Sequence, residues 1–258
     1  MFTDIHEHIL PGIDDGAADM ETAINMLRVA QINGLIHIIT TPHYIKDSYE
    51  NNNSLVTEKC KELSSRIASE NIQVSIYPGC EAFIFPELPE YVRDGEIPTL
   101  NGSSYVLVEL PLMSIPEYTD DVLYKLQLYG YTPIIAHPER YIEIIKNPNR
   151  LYSFVERGIL AQVNSTSLTK IYGSKVYAAA VKLLKHGLIH FVASDAHSCG
   201  GRSPKLTKAY NVVASLFDIE VADKLFSING QAVLNNEKVE KGEPMKVRTR
   251  WFNSLGRR

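Results

Sequence analysis

The chain is short of cysteine, of positive charge and of long apolar runs, and each shortage removes a class of protein. Three cysteines, Cys60, Cys80 and Cys199, include no Cys-x-x-Cys pair, which argues against a disulfide framework and a thiolate zinc ribbon and leaves the thiols reduced. No stretch approaches the roughly 20 apolar residues that span a bilayer, and the start lacks the basic and apolar blocks of a secretory leader. A cytoplasmic protein without a transmembrane segment is expected. With 26 lysines and arginines against 30 aspartates and glutamates, the net charge is −4, so the broad basic field used in non-specific nucleic-acid binding is missing. The basic stretch from Arg248-Thr249-Arg250-Trp251-Phe252 to Arg257-Arg258 reads as a solvated tail, spanning 241–258. No low-complexity linker divides residues 1–240, which are expected to form one domain.

What is present is repetition of strand and helix. Apolar, β-branched runs predict strands at Phe2 to Ile9, Ile36 to Thr41, Val74 to Pro78, Tyr105 to Leu110, Pro133 to Ala136, Ile159 to Val163 and His190 to Ala193. Amphipathic segments predict helices at Met20 to Asn33, Asn53 to Ser69, Tyr118 to Tyr129, Pro148 to Arg157, Ser174 to His186 and Pro204 to Phe217. Gly34, Gly130, Gly158 and Gly187 each follow a helix and precede a strand, where a left-handed C′ residue is wanted. The expected architecture is a mainly parallel α/β sheet, closed into a barrel or left open and doubly wound.

Metal-ligand residues recur at the carboxyl ends of these strands. His6 and His8 share one side of the first strand because side chains alternate with a period of two. His43 follows the second, Glu81 the third, Glu109 closes the fourth, His137 follows the fifth, and Asp195 with His197 follows the last. One such histidine more often satisfies a backbone carbonyl than a metal. Six strands presenting one at the same end point to a multinuclear centre. His37, His186 and His190 lie elsewhere on their elements and are assigned to structure. Asp14-Asp15-Gly16 could be a turn or helix cap, but Asp19 supplies another cap, which frees one aspartate for a metal.

These residues carry a family resemblance. Asp4 to Gly16, Thr41-Pro42-His43, Pro78-Gly79-Cys80-Glu81, Glu109-Leu110-Pro111, Ala136 to Tyr141 and Ser194-Asp195-Ala196-His197 resemble the polymerase-and-histidinol-phosphatase (PHP) superfamily. Within it, the chain is most similar to the manganese-dependent protein-tyrosine phosphatases of bacterial capsule and exopolysaccharide operons. The resemblance implies a distorted (β/α)7 TIM-like barrel with up to three ions. It implies one ion on His6, His8, Glu81 and Asp195, a second on Glu81, Glu109 and His137, and a third on Asp15, His43 and His197. The family's spacing selects Asp15 over Asp14, and matching arginines, here Arg140 and Arg202, contact the phosphate. The implied substrate is the autophosphorylated tyrosine-rich tail of a membrane-associated kinase that controls polysaccharide synthesis.

The donor set suits Mn²⁺, with Fe or Zn²⁺ as alternatives. The expected reaction is in-line attack on phosphorus by a hydroxide bridging the metals. A small-molecule phosphatase of the histidinol-phosphate kind, an amidohydrolase-type carbon-nitrogen hydrolase and a non-enzymatic metal-binding module are the competing readings. A cysteine-dependent phosphatase is rejected: Cys60 and Arg66 match its Cys-x5-Arg spacing, but Val56, Cys60, Leu63 and Ile67 fall on one face of an unbroken helical pattern.

Overall fold

The computed structural model describes residues 1–248. In chain order its strands are β1 (Phe2–Glu7), β2 (Leu35–Thr40), β3 (His43–Ile45), β4 (Tyr49–Glu50), β5 (Ser75–Pro78), β6 (Glu81–Phe83), β7 (Tyr105–Glu109), β8 (Thr132–Ala136), β9 (Leu160–Asn164) and β10 (Phe191–Ala193). The helices are α1 (Met20–Ile32), α2 (Asn53–Ser69), α3 (Leu88–Arg93), α4 (Thr119–Leu128), α5 (Ile142–Lys146), α6 (Asn149–Glu156), α7 (Ser165–Leu168), α8 (Gly173–Lys185), α9 (Thr207–Leu216), α10 (Ile219–Asp223) and α11 (Asn229–Leu234). Every strand and helix expected from the sequence is present. The unforeseen helices α3, α5, α7, α10 and α11 have only four to six residues, too few to display a helical period.

Two sheets form, ordered β1-β2-β5 and β10-β9-β8-β7-β6-β3-β4. Pairings are parallel except for β3 with β4. Strands β2 and β3 are one chain path interrupted at Thr41-Pro42, and β5 and β6 another interrupted at Gly79-Cys80. Proline has no N–H for a ladder, which explains the first break. Beyond β10, the Asp195 N–H donates to the His6 carbonyl at 2.9 Å and the His8 N–H to the Ala196 carbonyl at 2.9 Å. Those two bonds join the carboxyl ends of β10 and β1.

Strands β1, β7, β8, β9 and β10 are buried on both faces, as parallel strands under helices must be. Ile5, Ile39, Leu107, Ile134, Leu160 and Phe191 pack together as an inner apolar layer. On the opposite faces Ile38, Val108, Ile135, Val163 and Val192 meet helix residues such as Leu27, Leu63, Leu126 and Leu183. Helix α1 shows why these helices form and dock. Asp19 caps it by accepting from the Thr22 N–H at 2.8 Å, and Ala23, Met26, Leu27 and Ala30 line its buried face.

Residues 241–248 do not stand clear of this body: the Met245 N–H donates to the His186 carbonyl at 2.8 Å, and the Asn149 amide exchanges two hydrogen bonds with the Val247 backbone. Thr249 to Arg258, which hold most of the basic stretch, lie outside the described residues. Among the described residues no helix is long and apolar enough to cross a membrane.

Candidate metal centre

A regular β1 would set Ile5 and His6 on opposite faces, yet Ile5 packs in the inner layer and His6 stands in the polar cluster above it. A register shift between Asp4 and Glu7 reconciles them. The Asp4 carboxylate holds this bulge, accepting from the N–H of His6 and of Ser194, each at 3.1 Å. Glu7 is wholly buried between the two histidines in sequence, and its carboxylate has no hydrogen-bond partner. Burial, reinforced by Asp4, raises its pKa well above the ordinary value.

Glu81 is the hub. The parallel register of β3 and β6 seats it beside His43. Its Oε2 lies 3.1 Å from His6 Nε2, 3.2 Å from His8 Nε2 and 3.2 Å from His43 Nδ1, while Oε1 is 3.1 Å from His137 Nε2. Asp195 Oδ1 sits 3.5 Å from His6 Nε2 and 3.6 Å from His8 Nε2. Glu109 is 3.5 Å from His137 Nε2 and 3.7 Å from His43 Nδ1. Asp15 Oδ1 is 3.3 Å from His197 Nε2 and 3.5 Å from His43 Nε2. The structure therefore brings all nine candidate ligands into one cluster, with Glu81 shared between the first two expected groups. It adds a link the sequence did not suggest: His8 also stands with Asp15, His43 and His197.

The two adjacent aspartates take different places. Asp14 Oδ2 lies 2.8 Å from His8 Nδ1 and accepts from the His43 N–H, so it orients one imidazole from behind. Asp15, half exposed, faces His43 and His197. A Cβ at Gly16 would lie 2.1 Å from the His8 carbonyl oxygen, so only glycine lets this loop press onto β1. His137 and Asp195 adopt φ of 30° and 51°, a left-handed conformation uncommon for such residues and frequent at functional sites.

Burial works against every charge here, and the neighbours decide which survive. For His6 burial opposes protonation, but Glu81 and Asp195 outweigh it and raise the pKa. Burial lowers His43 to about 4. Burial and repulsion from Glu81 push Glu109 up to about 8. Such a crowd of carboxylates and imidazoles fits divalent cations, which would replace the additional proton that His6 otherwise holds. Ligands about 2.1 Å from a shared ion stand roughly 3–3.5 Å apart, close to the spacings found. His43 Nδ1 and His197 Nε2 are buried without a hydrogen bond, leaving donors free for an ion.

Arg140 and Arg202 reach the cluster through Asp195, at 3.2 Å and 2.8 Å. Arg140 also lies over the Tyr172 ring, 5.0 Å from its centroid. Sequence reading missed a supporting network on β9. His6 Nδ1 meets Gln162 Oε1 at 2.9 Å, Gln162 donates to Asn164, and Asn164 donates to Asp195 Oδ2 at 2.6 Å. Glu139 accepts from the Asn164 N–H and the Ser167 hydroxyl, and burial raises its pKa to about 7. Two amides spaced by two in an apolar strand were the available signal. The histidines assigned to structure have partners outside the cluster: Tyr77 for His37, the Lys182 carbonyl for His186 and the Ala161 N–H for His190. Cys60 is buried within α2, and burial lifts its thiol to about 11, far from a reactive thiolate.

Residues 2–235 match the family model described as capsular polysaccharide synthesis, CpsB/CapC. The chain belongs to this family. It is 38% identical to the tyrosine-protein phosphatase YwqE of Bacillus subtilis, over 96% of this chain and 97% of that one. A crystal structure from work on YwqE and Streptococcus pneumoniae CpsB, described as unique metal-dependent tyrosine phosphatases, matches with a TM-score of 0.93 at 38% identity, covering 96% of this chain and 100% of that one. The histidinol phosphate phosphatase of Lactococcus lactis matches 88% of this chain and 98% of its own with a TM-score of 0.53 at 13% identity, a likeness of fold alone.

Proposed function

We propose that this chain is a metal-dependent protein-tyrosine phosphatase that uses Mn²⁺. The observation that carries the reading is the Glu81 carboxylate bracketed by four imidazoles at 3.1–3.2 Å, with two arginines beside it, in a chain with near full-length likeness to YwqE. On this reading the strands close as a (β/α)7 barrel, supported by the backbone bonds between β10 and β1.

His6, His8, Glu81 and Asp195 would hold one ion, Glu81, Glu109 and His137 a second, and Asp15, His43 and His197 a third. Bound cations supply the Lewis acidity that ionises water near neutral pH and neutralises phosphoryl oxygens. Arg140 and Arg202 orient the phosphate through planar donor forks, which Asp195 holds in place at the cluster's edge. The tyrosine leaving group has a pKa of about 10 and departs with little help from an acid. We take the substrate to be the phosphorylated tail of a membrane-associated tyrosine kinase, met in the cytoplasm.

The test is hydrolysis of a phosphotyrosine peptide after chelation and re-addition of Mn²⁺, compared with His6→Ala and with histidinol phosphate as substrate. Chelation should abolish turnover, Mn²⁺ should restore it, and His6→Ala should fall at least about 10²-fold. Equal activity in all conditions would sink the mechanism. Preference for histidinol phosphate would move the chain to small-molecule hydrolysis.

A further inference from the structure

The two amides on β9 form a hydrogen-bonded chain with one possible direction. Asp195 is an ionised acceptor, because its Oδ1 lies 2.8 Å from the Arg202 guanidinium and its Oδ2 3.2 Å from that of Arg140. The Asn164 group 2.6 Å from Oδ2 is therefore the NH₂, which leaves Asn164 Oδ1 to accept from the Gln162 NH₂ at 2.9 Å. Gln162 Oε1 is then the atom turned to His6 Nδ1, at 2.9 Å, so Nδ1 carries a proton. In neutral His6 the free lone pair falls on Nε2, the nitrogen 3.1 Å from Glu81 and 3.5 Å from Asp195.

We propose that Gln162 and Asn164 are positioning residues: they fix the His6 tautomer that offers Nε2 to the first ion, and they hold Asp195 with Oδ1 toward the imidazoles and Oδ2 toward Arg140. The assignment rests on the metal-dependent phosphatase reading and deepens it.

The strand register places both amides for this task. Gln162 pairs with Ala136, the residue before His137, and Asn164 pairs with Ala193, two residues before Asp195. Spaced by two, they share a face of β9, while Val163 between them packs in the apolar core. A second path closes the chain into a circuit. The Asn164 N–H donates to Glu139 at 3.0 Å, Glu139 also accepts from the Ser167 hydroxyl at 2.6 Å, and the next residue, Arg140, returns to Asp195 Oδ2. The segment that carries Arg140 thus grips the backbone of Asn164, whose side chain grips the carboxylate that Arg140 bonds.

Energetics separate this role from packing. His6, Gln162, Asn164 and Asp195 are each at most 2% exposed, so removal of one amide leaves its neighbours buried and unpaired. A core needing only bulk there is filled better by leucine or methionine. A ligand histidine that loses the acceptor on its other nitrogen loses orientation and basicity, which typically weakens metal affinity by about 10–100-fold.

The experiment uses Gln162→Met and Asn164→Leu, which keep bulk and remove the amide. Mn²⁺ binding is followed without substrate by the electron paramagnetic resonance of free Mn²⁺, and KM is measured with p-nitrophenyl phosphate at saturating Mn²⁺. Both variants should weaken one class of Mn²⁺ site by about 10–100-fold. KM should rise more in Asn164→Leu than in Gln162→Met, because only the first releases the carboxylate that holds Arg140. In wild type loaded with diamagnetic Zn²⁺, nuclear magnetic resonance of ¹⁵N-labelled histidine should show a His6 Nδ1–H that exchanges slowly with water. That signal decides the matter even where a variant does not fold. A His6 proton on Nε2, or a folded Gln162→Met with wild-type Mn²⁺ affinity, overturns the positioning roles and leaves the phosphatase reading intact. Wild type that binds Mn²⁺ as expected but hydrolyses no phosphomonoester removes the phosphatase reading and leaves the His6 assignment standing, and wild type that binds no Mn²⁺ overturns both.

Discussion

The lower halves of the strands and their carboxyl ends bury side chains to the same depth on opposite terms. Ile5, Ile39, Leu107, Ile134, Leu160 and Phe191 are at most 1% exposed, while His6, Glu81, His137 and Asp195, which form the polar cluster above them, are at most 2%. Removing the first set from water is favourable by about 25 cal/mol per Å². Burying the second set costs free energy unless partners or cations offset it. The inner layer therefore stabilises a fold on which the strand ends can hold an otherwise unfavourable cluster of charge. The raised pKa of Glu109 and the unbonded ring nitrogens mark where stability yields to chemistry.

The sharpest way to test this contrast is Glu109→Gln. It should lower phosphotyrosine-peptide turnover by about 10²–10³-fold, yet raise the unfolding midpoint of the metal-free protein, because it removes a buried carboxylate pressed against Glu81. A fall in metal-free stability would break the comparison. In the lower layer Ile134→Ala should do the reverse, costing about 2–5 kcal/mol in denaturant unfolding while each folded molecule keeps its kcat. Loss of kcat in the folded fraction would show that the two layers are not separable.

The effect that is smallest near neutral pH, and shows only on acidification, concerns His190 in the strand-opening half. Burial, helped by Lys241 and Lys224, lowers its pKa from 6.5 to about 3. Between those values the unfolded chain binds a proton that the folded one does not, so its contribution is present above pH 6.5 and declines as pH falls toward 3. The limiting slope is about 1.4 kcal/mol per pH unit. Stability curves should be flatter over that window in His190→Gln, and identical curves would remove His190 from the account.

Much of this was legible before any coordinates. The long strands and helices have a clear period, and their boundaries fall within a few residues of those expected. Short elements such as β3 and β6 escaped because the chain paths of β2 and β5 break at Pro42 and Gly79, each leaving a remnant of three residues. Candidate ligands were legible because metals demand a narrow set of side chains. The Gln162–Asn164 relay was not, because amides are common everywhere and acquire meaning only beside His6 and Asp195.

The sequence by itself determined the alternation of strand and helix and the supply of nitrogen and oxygen donors at strand ends, since both follow from local period and residue type. The tertiary structure alone decided that Asp14, beside the expected ligand Asp15, supports His8 from behind. It alone also decided that Ile5 and His6 serve the apolar layer and the polar cluster in turn. That outcome depends on a bulge held by Asp4 against Ser194, 190 positions away. No local pattern encodes a contact made across the whole chain.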